Sequence, residues 1–426
     1  MVQQRSFCLV LCCLIVILIS TVATATVHLE WMSWGDQTVI DRNERIIQAY
    51  YASFPDKDIV IRNNVVGWDF YKERLPVLVA GGAATDIISS EGSFVYGQMA
   101  EWNALMDLTD LVIPYEDEFL PGALETIRVN GKVYGFPFHG WDTSPVVFIN
   151  YSCQAFDEAA LPYPTYNWSW DDLLGSGKKL TNPREGKWAI DFGASSHIAL
   201  WQPLLYAFGG QMYAPDRSES LISSTEAANA FRFLKELDIV YGFQAPAELV
   251  NNKIGFITGQ VAMTTNWSQE ATKIMDYVRF GSGITILPQG PAGFGFHPPL
   301  TCHSVGIYRE SEHPAEAWHF IEWMLTSPEA LEAMGPTIPM VPLKSNLPIL
   351  VDMIAADDAA LAGWRATEAV FERLMSAPID RVGVEYPHTI EIITSSLQEY
   401  MGGNQAIEQI LENAKSQIDR LLNELK

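Results

Sequence analysis

The sequence predicts an α/β protein built as two lobes, and two observations carry that expectation. The chain opens as strand, helix, strand. Further on, the stretch from Gly131 to Asn150, GKVYGFPFHGWDTSPVVFIN, holds two apolar runs parted by a polar, aromatic interruption, as in a strand that leaves one lobe and enters another. With 426 residues, 48% hydrophobic and 12% aromatic, the chain is large enough for two or three lobes with cores of their own, and its balance excludes disorder.

Met1 to Ala25 carries one cationic residue, Arg5, then the apolar run Phe7 to Ile19 and the small-x-small pattern Ala23-Thr24-Ala25, so a cleaved secretory signal is expected. The run is shorter than the ~20 apolar residues a membrane helix needs. Without Arg5 the chain keeps 26 Lys+Arg against 51 Asp+Glu, a net −25. Such a field repels polyanions and anionic headgroups and argues against nucleic acid. It is screened within about 10 Å, so it says little about a small ligand in a sealed cleft. Cys153 and Cys302 follow the signal with no CxxC motif, which leaves one disulfide or two buried thiols open.

Val27 to Trp34 alternates as a half-buried strand and ends at Gly35-Asp36. Ile40, Ile46, Ile47, Tyr50, Tyr51 and Phe54 then recur at helical spacing until Pro55-Asp56, before a second strand at Ile59 to Ile61. Trp68 to Val79 reads as a helix, and Asp86 to Glu91 as a third strand opening into a loop. Ligands of open α/β sheets sit beyond the carboxyl ends of strands. Trp34 is therefore a candidate stacking face, and Asp36 and Glu91 are candidate acceptors, with a helix N-cap as the other reading of Asp36. At the turn pair Asn130-Gly131 a hairpin or strand begins and is expected to end at Pro137, which has no N–H to donate. Trp141 and Asp142 would face a cleft from the crossover itself; a turn role is the alternative for Asp142.

Trp168 to Leu174 is a tryptophan followed by a capped helix, expected to be structural. His197 to Gly210 reads as a helix carrying Trp201 and Tyr206 and closed by Gly209-Gly210. Ser223 to Glu226 reads as a capping box whose helix buries Ala227, Ala230, Phe231, Leu234 and Leu237. Gly259 to Trp267 reads as a strand leading to a loop. Further crossings are expected near Gly295 to His303 and Pro336 to Pro342, with helices starting at Pro314 and Ser327-Pro328 between them. A last helix carries the stripe Ile407, Ile410, Leu411, Ala414, Ile418, Leu421 and Leu425.

Five stretches resemble, in the same order, segments of the family 1 extracellular solute-binding proteins, the ligand-capturing receptors of ABC importers, maltose- and trehalose-type receptors among them. They are LPVLVAGGAATDII (Leu75 to Ile88), the Gly131 to Asn150 stretch with its GK-x-YG-x-P and final Asn, WSWDDLL (Trp168 to Leu174), GQVAM (Gly259 to Met263) and HPAEAWHFI (His313 to Ile321). The resemblance covers nearly the whole chain after the signal. It implies a type II, maltose-receptor-like fold with a hinge of about three crossovers. Residues 26–140 and 303–337 would form the first lobe, and 141–302 and 338–426 the second. It also implies a monomer that captures a mono- or oligosaccharide between the lobes and delivers it to the permease subunits of an ABC importer, with no cofactor, metal or catalytic residue. The position of Trp267 presents an aromatic or polar group to the ligand in relatives, and the expected ligand set is Trp34, Asp36, Glu91, Trp141, Asp142, Trp201, Asn266 and Trp267. Relatives with a lipid anchor keep a cysteine just after the signal; here Cys8, Cys12 and Cys13 lie inside its apolar run, so a periplasmic protein without a lipid anchor is expected.

No GxSxG, HExxH, GxGxxG or GxxxxGK[ST] occurs. Two readings stand beside the sugar receptor. A glycoside hydrolase needs only two carboxylates, for which Asp36, Glu91 and Asp142 are the candidates. A polyamine receptor would use the same carboxylates with aromatic rings over the cation. The sequons at Asn150, Asn167 and Asn266 are read as coincidence.

Overall fold

The structure is a computed structural model that describes residues 26–90, 99–100, 102–119, 124, 127–139, 147–193, 198–250, 253–293, 303–335, 343–355, 358, 361–362, 365 and 385–424. The expected signal segment, Glu91, Trp141, Asp142, Cys302 and Leu425 lie outside these residues.

Two sheets carry the fold. In the first, β1 (Val27–Trp34) runs parallel to β2 (Ile59–Val66) along its whole length and to β3 (Ile87–Ser90) on its other side. β11 (His303–Ile307) is antiparallel to β3, and β6 (Phe136–His139) pairs antiparallel with β11, giving the order β2-β1-β3-β11-β6. The strand expected to stop at Pro137 continues to His139, with Pro137 opposite Ser304. It can do so because β6 is an edge strand, where one row of N–H groups has no ladder partner to lose. Before it, β4 (Arg128–Val129) and β5 (Lys132–Val133) form a hairpin turned by Asn130 and Gly131, at φ 50° and 79°, as a type I′ turn requires of both central residues.

In the second sheet β7 (Val147–Ser152) lies between two antiparallel neighbours, β10 (Ser282–Ile286) and β9 (Val261–Trp267), and β8 (Trp188–Asp191) is parallel to β9. Among the described strands the chain thus passes between the two large sheets twice, at β6 to β7 and at β10 to β11.

Each lobe has its own core. Trp31, Tyr50, Phe136 and Phe320 anchor the first, and Trp201, Phe231, Tyr386 and Ile418 the second. The helix Gln37–Ser53 buries Ile46, Ile47 and Tyr50 as its spacing predicts, and also Arg42 and Asn43, which an apolar period does not reveal. Pro314 opens the helix Pro314–Thr326, and the Ser327 hydroxyl caps Pro328–Met334 by accepting from Ala330 N. After residues 336–342, outside the described set, Leu343 packs in the first core and Leu350 and Ile354 pack on Leu331. Against the expected lobe boundary at 337/338, Ile354 packs with Leu331, and the second core includes the chain from Tyr386.

Caps in the second lobe follow the sequence with small shifts. Ser169 and Asp172 form a reciprocal capping box on Trp170–Leu180. Ser224, not Ser223, caps Thr225–Lys235, and with Ala227 at the third position there is no reciprocal acid. The helix Ile407–Glu424 buries Leu422 rather than Leu421, continuing the step of four from Ala414 through Ile418. Cys153 is a free thiol, half-buried, with its pKa raised by burial.

Candidate ligand site between the lobes

Strand register fixes which edges of the two sheets face the crossover. β6 leaves the first sheet at His139, which pairs with His303; Ser304 pairs with Ser90, and Trp34 pairs with Val66. The carboxyl ends of β1, β2 and β3 thus share one edge with the exit of the chain. On the second sheet the chain enters at Val147, opposite Trp267, while Phe148 pairs with Ile286 and Thr264 with Asp191. The carboxyl ends of β8, β9 and β10 therefore share the edge where the chain arrives. Ligands of open α/β sheets bind at such ends.

The first edge is aromatic. Trp34 is half-buried, with Trp68, Tyr71 and His303 around it at ring-centroid distances of 5.3, 5.2 and 5.3 Å. Trp68 stacks on Tyr71 at 12° between planes, and Lys72 Nζ lies 5.2 Å over the Trp68 ring. Tyr71 donates its hydroxyl to Ser89 O, and Trp31 Nε1 donates to Ser89 Oγ at 2.9 Å, so the shelf is fastened to β3 from beneath. Offset and tilted ring pairs of this kind add about 0.5–1.5 kcal/mol each beyond burial.

The second edge is polar. Asp191, at the end of β8, accepts from Gly193 N at 2.7 Å and from Thr264 Oγ1 at 3.1 Å, and lies 3.5 Å from Lys253 Nζ. Asn266 Nδ2 donates to Asn150 Oδ1 at 2.8 Å, and Asn150 Nδ2 donates to Ala271 O at 2.8 Å. Buried amides need such partners, because an unpaired one costs about 1–3 kcal/mol.

Of the expected ligand residues, the structure brings Trp34, Asp36 and Trp267 to the facing edges. Asp36 takes the N-cap reading: its Oδ1 accepts from Thr38 N at 2.9 Å. Its Oδ2 accepts from Lys273 Nζ of the other lobe at 3.0 Å. Partial burial raises the Asp36 carboxyl, but the Lys273 ammonium and the Thr38 donors outweigh it and leave the pKa below its ordinary value. Two expectations are corrected. Trp201 is 0% exposed in the second core, packed edge-on against Phe231, so no ligand reaches it. Asn266 is 4% exposed and turned inward onto Asn150, holding β9 to β7. With both side-chain nitrogens held in buried hydrogen bonds, Asn266 on Asn150 Oδ1 and Asn150 on Ala271 O, neither is open to glycosylation in the folded chain. Beyond the aromatic shelf, sequence reasoning did not find Lys273, Asp191 or Asn150; the shelf had one visible signal, Trp68 two residues past the end of β2.

The family model described as "Bacterial extracellular solute-binding protein" matches residues 42–330, more than half of the chain. The chain belongs to this family. Among curated relatives of this solute-binding protein, the "uncharacterized lipoprotein in oleD 5′ region" of Streptomyces antibioticus is 22% identical over 391 residues, 89% of this chain and 83% of that one. The maltotriose-binding protein of Pyrococcus abyssi is 21% identical over 328 residues, 75% of this chain and 67% of that one. An ABC substrate-binding protein of Listeria monocytogenes, solved with cycloalternan, superposes with a TM-score of 0.75 at 20% identity, covering 93% of this chain and 99% of the other. The two-lobed fold of that structure is the fold of this chain.

Proposed function

We propose that this solute-binding protein is the extracytoplasmic receptor of an ABC importer and captures a mono- or oligosaccharide between its lobes. The observation that carries the reading is the aromatic shelf around Trp34 at the carboxyl ends of β1 and β2, on the edge that faces the crossover. A pyranose offers C–H faces and a rim of hydroxyls; indole rings cover the former, and ionised carboxylates accept from the latter in charge-assisted hydrogen bonds. Trp34 and Trp267 would supply rings from the two lobes, with Trp141 between them in sequence, and Glu91 and Asp142 would supply carboxylates. The ligands named for relatives, maltotriose and cycloalternan, support an oligosaccharide.

The protein would bind without bond breaking. A glycosidase needs a carboxyl of raised pKa as general acid. Asp36 has the opposite character, since its carboxylate is paired with Lys273 and its pKa is lowered. Among the described residues no helix is long and apolar enough to cross a membrane. We place the mature chain, from Thr26, in the periplasm as a monomer that meets the permease subunits after closing on its ligand. Because the Streptomyces relative is called a lipoprotein, mass spectrometry of the membrane and soluble fractions tests that placement: a diacylglyceryl mass on a cysteine overturns it.

A melting screen of the mature chain against maltotriose, cyclic and linear glucans, monosaccharides and spermidine tests the ligand class. A ligand at 100 times its dissociation constant adds ~2.7 kcal/mol of stability. A sugar that raises the midpoint and is recovered intact supports the receptor. A sugar recovered cleaved makes the protein a hydrolase, and a shift with spermidine alone replaces the sugar by a cation.

A further inference from the structure

Trp34 and Trp267, the two aromatic candidates at the facing edges, are each followed closely in sequence by one half of a contact between the lobes. Asp36 stands two residues past Trp34, and Lys273 ends the helix Ser268–Lys273, which begins directly after Trp267. Lys273 Nζ donates to Asp36 Oδ2 at 3.0 Å and to Thr38 Oγ1 at 3.1 Å. Both ends rest on firm bases. Asp36 and Thr38 form the N-terminal cap of Gln37–Ser53. The Lys273 helix is tied to β7 by the buried Asn150 amide on Ala271 O, and Ala271 is itself fully buried. With both bases anchored in separate sheets, the contact forms at one separation of the lobes and is lost when they part.

We propose that Lys273, Asp36 and Thr38 form an interlobe clasp that favours the closed arrangement and thereby slows ligand release. The proposal rests on the hinged two-lobe reading and not on the ligand being a sugar. Asp36 thus acts on binding without touching the ligand. The clasp is weak by construction: the Lys273 and Asp36 side chains are 42% and 63% exposed, and exposed pairs shift equilibria by about two- to five-fold. A bias of that size tilts a hinge without locking it, and a ligand that favours the closed form adds to the same equilibrium. The charges are secure near neutral pH, since the hydrogen bond to Asp36 raises the Lys273 pKa while that of Asp36 is lowered.

The test is single-molecule FRET on the mature chain, with dyes at Lys57→Cys and Glu412→Cys on exposed positions of the two lobes, in a Cys153→Ser, Cys302→Ser background. Asp36→Asn keeps a good N-cap while removing the charge; Lys273→Met removes the ammonium and keeps the chain length. Without ligand, either variant should lower the closed-to-open ratio about two- to five-fold, the double variant no further, and 1 M NaCl should do the same to the parent. Maltotriose, as the probe, should leave either variant faster by the same factor. Unchanged FRET in both variants, or effects that multiply in the double variant, overturn the clasp. If the parent itself does not bind maltotriose, the sugar reading fails while the FRET comparison still decides the clasp.

Discussion

The two edges that face each other across the crossover are made of opposite materials. On the first, Trp34, Trp68, Tyr71 and His303 lean on one another, and Trp34 keeps part of its surface open. On the second, Asp191, Thr264, Asn150 and Asn266 are nearly or fully buried and bonded to partners within their own lobe. Ring faces can pack on neighbours and still receive a ligand, because dispersion is not saturated by one partner. Hydrogen-bonding groups, once paired and buried, are no longer available. In the proposed reading the aromatic edge is the surface for recognition, and the described polar groups of the second edge are the frame that holds the end of β9 and the Lys273 helix in place.

Two tryptophans give the largest test of that division. Trp201→Ala empties a fully buried site and should lower stability by about 3–5 kcal/mol, read as a large fall in the melting midpoint, while the folded fraction binds ligand normally. Trp34→Ala should do the reverse, losing less stability and weakening sugar binding by about 1–3 kcal/mol in calorimetry. If Trp201→Ala weakened binding and left the midpoint alone, the assignment of Trp201 to the core and of Trp34 to the ligand would be overturned.

A smaller effect separates frame from surface within the second lobe. Asn266→Ala leaves the buried Asn150 carbonyl without its donor and should cost about 1–3 kcal/mol in denaturant unfolding. An apolar pair of similar shape, Asn150→Leu with Asn266→Leu, should recover only part of that loss, because it leaves no half-satisfied side-chain amide but takes the Asn150 donor away from the buried Ala271 O. A double variant no better than the single one would mean that the amides do more than hold β7 to β9.

The architecture was legible because it is written in local periods. Alternation marks β1, helical spacing marks Gln37–Ser53, and Pro314, Ser169 and Ser327 mark helix starts, each within a few residues of its partner. Of the candidate site, only positions that follow from strand ends were legible, as for Trp34 and Asp36 at the end of β1. Trp201 misled because Ile198–Ala207 is apolar on nearly every side, so the pattern has no exposed face to contrast with a buried one. Asn150 with Asn266, and Asp36 with Lys273, are pairs made by topology across 116 and 237 residues, and no local period encodes such a partner. Arg42 and Asn43 were hidden for a related reason: they are buried on the inner face of an amphipathic helix because Asn43 bonds Ser33 and Asn63 and Arg42 lies over Phe138, contacts that composition does not announce.

Acidity offers the gentlest way to address one lobe alone. His319, half-buried in the first lobe, has Nδ1 2.9 Å from the Tyr50 hydroxyl and its ring 4.7 Å from that of Phe54. Burial, helped by Lys57 and opposed by Glu322, lowers its pKa, while burial pushes the Tyr50 hydroxyl up to about 12 and keeps it protonated. With the phenol donating, protonation of the imidazole removes its acceptor. Because the folded pKa lies below the unfolded one, unfolded chains bind more protons: the contribution is intact above the ordinary histidine value of about 6.5 and is lost as pH falls through the lowered value. Hydrogen exchange should then show the amides of β1 to β3 losing protection between neutral and mildly acid pH before those of β7 to β9. His319→Gln, which cannot titrate, should flatten that difference. Equal loss in both sheets, in the parent and the variant alike, would show that His319 does not set the acid limit of the first lobe and that the carboxylates of the whole chain do.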